Sequence, residues 1–196
     1  MTTADIITNF EIYVDDGTEL SSGEELNLAN KVYRAVCNYR PWEWLKKPIS
    51  GSIVAGAITL PTDFNYFVTN VQSNGSRGIY VGTENTYVPL VNFSDRREYT
   101  DNVCYVDPSD SKIKFIVPQT ATTYSFDYIK VPADLTLATS PIFPAQFHDI
   151  IYHGMAVDDF SIQLFDKARS YANENQAKYI SILKDMSYQN AMSNFS

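Results

Sequence analysis

The sequence predicts an α+β protein: an N-terminal helix, a central antiparallel β-sandwich or barrel-like domain, and a C-terminal helical hairpin that packs with the N-terminal helix. Three observations carry this. Apolar residues recur at helical spacing before Pro41 and again after Pro144. Between about 50 and 131 the pattern changes to short β-rich runs cut by turn clusters. With 196 residues and 44% hydrophobic content, the chain can bury a β core with a helical annex. The expected organisation is an N-terminal helical segment over 1–49, a β domain over 50–135, and C-terminal helices with a tail over 136–196. The helical parts are expected to form one bundle.

Residues 4–14 read as a short helix behind Thr3 as cap. Asp15-Asp16-Gly17-Thr18 makes a turn. Ser22-x-x-Glu25 fits a capping box, in which hydroxyl and carboxylate satisfy each other's orphan N–H groups. The helix that follows, about 23–40, carries Leu26, Ala29, Tyr33 and Val36 on one stripe, widened by Leu28, Val32 and Ala35. Such a wide stripe predicts burial on more than one side. Pro41 ends it, because the residue before a proline avoids the α region.

Seven strand-like stretches follow. Runs 52–60 and 64–72 flank Pro61, and shorter runs lie at 78–81, 86–91, 103–106, 112–117 and 122–131. Ser73-Asn74-Gly75-Ser76, Asp107-Pro108-Ser109-Asp110 and Pro118-Gln119 punctuate them. Asp95 to Tyr99 reads as a helical turn. After Pro144 the chain is helical again. Over 146–164 Phe147, Ile150, Gly154, Val157 and Leu164 share one face, and Ile151, Met155 and Ile162 another, which predicts an enclosed helix. Asp166 caps a second helix carrying Ala168, Tyr171, Ala172, Tyr179, Ile182, Leu183 and Met186. The last ten residues are polar with isolated Tyr188, Met192 and Phe195, either frayed or waiting for a partner.

Composition excludes several classes. Net charge is −8, spread over the whole chain, whereas a DNA wrapper concentrates Lys and Arg to displace counterions. Spread acidity supports solubility and suits a surface that DNA slides past. Cys37 and Cys104 stand alone, without a CxxC pair, and read as small buried hydrophobes. Neither a secretory signal nor a run of about 18 apolar residues is present, so no membrane is expected as partner.

No catalytic constellation can be assembled, and no cofactor or metal is expected. His148 and His153 lie five apart, about 140° around a helix, which rules out an HExxH-type pair. Asp149 and His153 sit at i and i+4 and predict a local contact. In Asp158-Asp159 one carboxylate is expected to pair with Lys or Arg and the other to face solvent. Gly75-Ser76-Arg77-Gly78 lacks a P-loop lysine and reads as a hairpin tip. Trp42 and Trp44 suit either a sugar-stacking platform or a core plug sealing helix against sheet. Aromatics beside a helix-ending proline favour the plug.

Four landmarks remain: Arg40-Pro41-Trp42-x-x-Leu45, Leu60-Pro61-Thr62-Asp63-Phe64, Tyr128-Ile129-Lys130-Val131-Pro132-Ala133-Asp134-Leu135, and Phe143-Pro144 through Phe147-His148. Their order, over roughly 20–186, resembles tailed-bacteriophage head–tail adaptor (connector) proteins of the tail tubular protein A type. The β segment is longer than in the leanest adaptors. The resemblance implies a non-enzymatic neck component of the virion, made in the host cytoplasm. About twelve copies would form a ring between the portal protein and a tail or nozzle protein, with DNA passing through the lumen unbound. Tyr188, Met192 and Phe195 would order on the portal. The competing reading is a tail-associated carbohydrate- or receptor-binding β module using Trp42, Trp44 and surface tyrosines.

Overall fold

The computed structural model describes residues 1–14, 20–68, 77–159 and 166–193, with 166–173 and 193 described by backbone alone. It divides into two compact units: Met1–Leu45 with Pro132–Ser196, and Lys46–Val131. The first is helical and the second is a sheet, so the α+β class holds.

In the helical unit, α1 spans Thr3–Tyr13 and α2 spans Ser22–Asn38. Both caps sit one residue earlier than the sequence pattern predicts. Thr2 Oγ1 accepts from the Asp5 N–H at 3.2 Å while the Thr2 N–H donates to Asp5 at 2.8 Å. Thr3 is instead buried, its hydroxyl donating to the Thr139 carbonyl. Ser21 and Glu24 form the second box, with the Ser21 N–H donating to the carboxylate at 2.9 Å. The shift leaves Glu25 facing inward. Burial, with the carboxylates of Glu11 and Asp159 nearby, holds its acid above the usual range.

The chain returns to this unit through a short 3-10 turn at Ala145–Phe147 into α3, Asp149–Asp158, and then α4, Asp166–Ser193. The expected continuous helix over 146–164 is thus shorter, because Asp159 adopts extended backbone at φ −75°, ψ 107°. Ile162, Leu164 and the 160–165 junction lie outside the described residues. α3 is central, as its two apolar faces imply. Ile150, Ile151, His153, Gly154, Met155 and Ala156 are all buried, and α1, α2 and α4 pack around it. α3 and α4 form the helical hairpin, and it packs with α2.

The sheet has eight strands: β1 Lys46–Ser52, β2 Ala57–Thr59, β3 Phe64–Phe67, β4 Gly78–Val81, β5 Thr86–Val91, β6 Cys104–Asp107, β7 Lys112–Phe115 and β8 Thr123–Lys130. Their order is β1-β8-β4-β5-β6-β7-β2, with β3 also on β8. The two ends of that path are consecutive in sequence. A Val54–Ala57 bridge joins β1 to β2 and brings the sheet close to a closed barrel. Core residues Ile58, Phe67, Ile79, Val88, Ile113 and Phe126 fill the inside. Cys104 joins them, its thiol pushed by burial up to about 12.

Three details differ from the sequence expectation. The run 52–60 is not one strand but the last residue of β1, a turn and the short β2, because Ala55 (φ 50°) and Gly56 (φ 73°) turn the chain back. β1 is an additional strand. Its Lys46-Lys47-Pro48 start hides it from pattern reading, but β1 stands at an end of the strand path among the described residues, the position in a sheet where proline is tolerated. Finally, β5 and β6 run parallel, since the 3-10 turn at Asp95–Glu98 lies in a crossover between them. The turns expected at 15–18 and 73–76, and the second half of the run 64–72, lie outside the described residues.

Candidate functional site

The first and fourth sequence landmarks meet in the helical unit. Pro41 ends α2, and the following turn drives Trp42 fully into the interior. Its indole N–H donates to the Val36 carbonyl at 2.7 Å, one of the carbonyls that the end of a helix leaves free. Trp44 stacks on it at 4.6 Å between centroids and 15° between planes. Phe143 lies 6.4 Å from Trp44 and 6.0 Å from Tyr33. His148 closes the group, edge-on to Phe143, with its Nε2–H donating to the Phe143 carbonyl at 3.0 Å. Burial holds the His148 pKa below its ordinary value. The buried Nε1–H of Trp44 has no hydrogen-bond partner among the described residues.

The end of α4 is fastened to the same turn. Leu183, Met186 and Asn190 are buried on its inner side. The Glu43 N–H donates to Asn190 Oδ1 at 2.7 Å, and Arg40 donates to the Ser187 carbonyl at 3.3 Å while lying over the Trp42 ring. Gln146 reaches Gln189 at 2.8 Å. This leaves the other side of the helix to solvent, where Tyr188 is 69% and Met192 55% exposed. Phe195 lies outside the described residues.

The second and third landmarks meet in the sheet unit. Asp63, in the Pro61 turn, accepts from the Tyr128 hydroxyl at 2.6 Å and from Lys47 at 3.1 Å. Its own carbonyl accepts from the Val131 N–H at 2.7 Å. The Tyr128 hydrogen bond and the Lys47 ammonium hold the Asp63 carboxyl below its ordinary range, whereas burial raises the Tyr128 phenol. Four motifs scattered along the sequence are therefore two knots, one in each unit. Lys47 completes the second knot, and pattern reading missed it because a Lys-Lys pair normally marks a solvated face.

The remaining polar candidates are structural. His153 is buried and turns to Asn175 Oδ1 at 2.8 Å rather than to Asp149, the partner its spacing suggested. Burial lowers its pKa too. Asp158 pairs with Lys31 at 3.1 Å, as expected for one of the two carboxylates. Asp159 is buried, not solvent-facing, because the helix ends before it. No group of three His, Cys, Asp or Glu among the described residues is arranged to hold a metal, and no described helix is long and apolar enough to cross a membrane. The family model described as SU10 adaptor protein matches residues 1–195. No curated protein matches the chain.

Proposed function

The chain belongs to the SU10 adaptor protein family, a phage adaptor-type family of structural proteins, and from that premise we propose that it is a head–tail adaptor of the virion neck. About twelve copies form a ring between the portal protein and a tail or nozzle protein, in the manner of the tail tubular protein A type, and extend the DNA channel. It carries no reaction of its own. The family match over 1–195 is the observation that carries this reading.

The outer side of α4 is the proposed portal contact. Its inner side is held by Leu183, Met186 and Asn190, so Tyr188 and Met192 are presented from a fixed backbone, with Phe195 beyond them. Aromatic and Met side chains on a rigid helix are the usual anchors of a helix-in-groove contact. Trp42 and Trp44 serve as the plug of the helical unit. A glycan-stacking platform needs free ring faces, and Trp42 is fully buried against Trp44.

Light scattering after size exclusion tests the proposal, on the protein alone and mixed with the portal protein of the same genome. The expected result is a defined ring on the portal. An intact portal ring that recruits no copies would overturn it.

A further inference from the structure

The acid excess is even along the sequence but not between the two units. The helical unit carries fifteen acidic and seven basic residues, and the sheet unit eight of each. All three arginines of the sheet unit, Arg77, Arg96 and Arg97, lack a carboxylate within 4 Å among the described residues. They fall at one end of the sheet. The Arg77 carbonyl accepts from the Leu90 N–H at 2.8 Å, and the other two follow β5 in the 3-10 turn.

Arg96 is held in place. Its guanidinium lies 3.7 Å over the Phe93 ring and 5.8 Å from the Tyr105 ring, and it donates to the Phe93 carbonyl. Phe93 and Tyr105 support each other at 5.9 Å. Asp95, its neighbour in the chain, accepts from Asn92 and Ser94 instead. A guanidinium stacked on a ring keeps its outer donors for a carboxylate and has little rotamer freedom left to lose. Arginine with aromatic residues is also the composition of interface anchors.

The helical unit carries the opposite charge. A cleft of about 330 Å³ opens beside α2 and the end of α3, lined by Leu20, Glu24, Asn27, Leu28, Lys31, Asp158 and Asp159. Three carboxylates stand against one ammonium there, and Lys31 is already on Asp158 at 3.1 Å. Buried Glu25, in electrostatic reach of Asp159 and Glu11, adds to the negative field. Its carboxylate has no hydrogen bond or ion pair among the described residues. Asp158 and Asp159 end α3, where the helix dipole disfavours anions, so helix stability does not explain them. No group of three acids among the described residues is arranged to hold a metal. The cleft therefore suits an extended cation. Its Leu20 and Leu28 walls favour a guanidinium backed by a ring over a strongly hydrated ammonium.

We propose that Arg96, backed by Phe93, of one copy docks into the Glu24/Asp158 cleft of a neighbouring copy. This rests on the ring reading above and names its subunit contact. The second copy is the occupant because the chain's own sheet unit presents the charge and apolar backing that the cleft lacks. A repeated contact between unlike patches is the heterologous kind, which closes into rings.

The experiment is a charge swap, read by light scattering on portal rings. Arg96→Glu sets a carboxylate against the acidic cleft, and Asp158→Arg sets two guanidiniums against each other. Each alone should weaken subunit association by about tenfold or more. In an equal mixture the two proteins can alternate so that every contact pairs opposite charges, and assembly should return to the wild-type level. Asp158→Arg also suits the carboxyl end of α3, so the fold should survive it. Arg96→Gln, which deletes the charge alone, should weaken association while its melting temperature stays within a few degrees of wild type. Single variants that assemble as wild type does, or a mixture no better than its components, would overturn the contact and leave the ring intact. Arg96→Glu protein that cannot bind the portal even as a single copy would assign Arg96 to the portal and overturn it too. If wild-type protein forms no ring, the function proposed above fails and the contact fails with it.

Discussion

At the residue scale, burial decides what each polar or aromatic group can do. Trp42 is the largest fully buried side chain, its ring on Trp44 and its N–H on Val36. Trp42→Ala is therefore expected to lower unfolding free energy by about 3–5 kcal/mol, as other large aromatic truncations do. Chemical denaturation measures this, and a loss under about 1 kcal/mol would mean the ring is not a plug. His153 sets a pH limit. Asn175, Lys178 and Glu174 face it from α4, Tyr13 from α1, and Asp149 and Tyr152 from α3. Its folded pKa lies below the ordinary value, so the unfolded chain takes up the proton first. Stability is then full above about pH 6.5 and falls as pH drops through and below that value. Melting temperatures between pH 7.5 and 5 should show this slope; buried His148, whose pKa is also lowered, adds to it, so His153→Gln should reduce the slope without abolishing it. Carboxylates such as Asp63, whose folded pKa is depressed, lose their contribution only at lower pH, near the ordinary carboxylate range.

At the element scale, packing corrects what periodicity proposes. β4 and β5 fall where alternation and turn residues place them. Helix α2 buries Ala29, Val32, Tyr33 and Val36, but Ala35 is exposed and Leu26 and Leu28 are only half-buried, so the second apolar side that its wide stripe implies is not enclosed. The failures have physical causes. A Ser-Ser pair and a Glu-Glu pair give two possible capping boxes, and only burial of Glu25 selects Ser21 with Glu24. The turn in 52–60 uses an alanine where pattern reading looks for Asn or Asp. The long-range knots were invisible as such: Asp63 and Tyr128 are 65 residues apart, so only their shared order was legible. Two predictions belong here. Gly154→Ala raises helix propensity by about 1 kcal/mol but forces a Cβ against Val32. The overpacking should win, with a net loss of about 1–2 kcal/mol. Val32→Ala in the same chain should recover part of it, which a double-mutant cycle would read. The α4 surface needs a gentler test than truncation after Asp185, because that cut also removes buried Met186 and Asn190. Tyr188→Ser with Met192→Ser keeps the inner side. It should leave the melting temperature within a few degrees and weaken portal binding by at least tenfold. Unchanged binding would move the portal contact elsewhere.

At the scale of the whole molecule, charge constrains how the proposed ring would treat DNA passing through it. The excess of 23 acidic over 15 basic residues is spread along the chain, and the cations in reach of carboxylates are already engaged. Lys31, Arg34, Lys46, Lys47, Lys114 and Lys178 each lie within 4 Å of an Asp or Glu. Apart from the part-buried Lys114–Asp107 pair, these lie at the surface and add little to stability. Their collective effect is to partner six of the fifteen Lys and Arg residues with carboxylates that compete with phosphate. Non-specific DNA affinity grows with the number of phosphates neutralised and is strongest at low salt. A labelled duplex titrated with the protein at about 50 mM salt should therefore show no change in anisotropy up to concentrations of tens of micromolar. The stringent form uses the assembled ring, where many copies surround one duplex and weak contacts would add. Binding that appears only in the ring and disappears by about 200 mM salt would mean assembly gathers basic groups such as Arg77 and Arg97 toward the lumen. Continued absence of binding would support the proposed channel role, since a wall without affinity for the duplex would let DNA pass without having to be released from it.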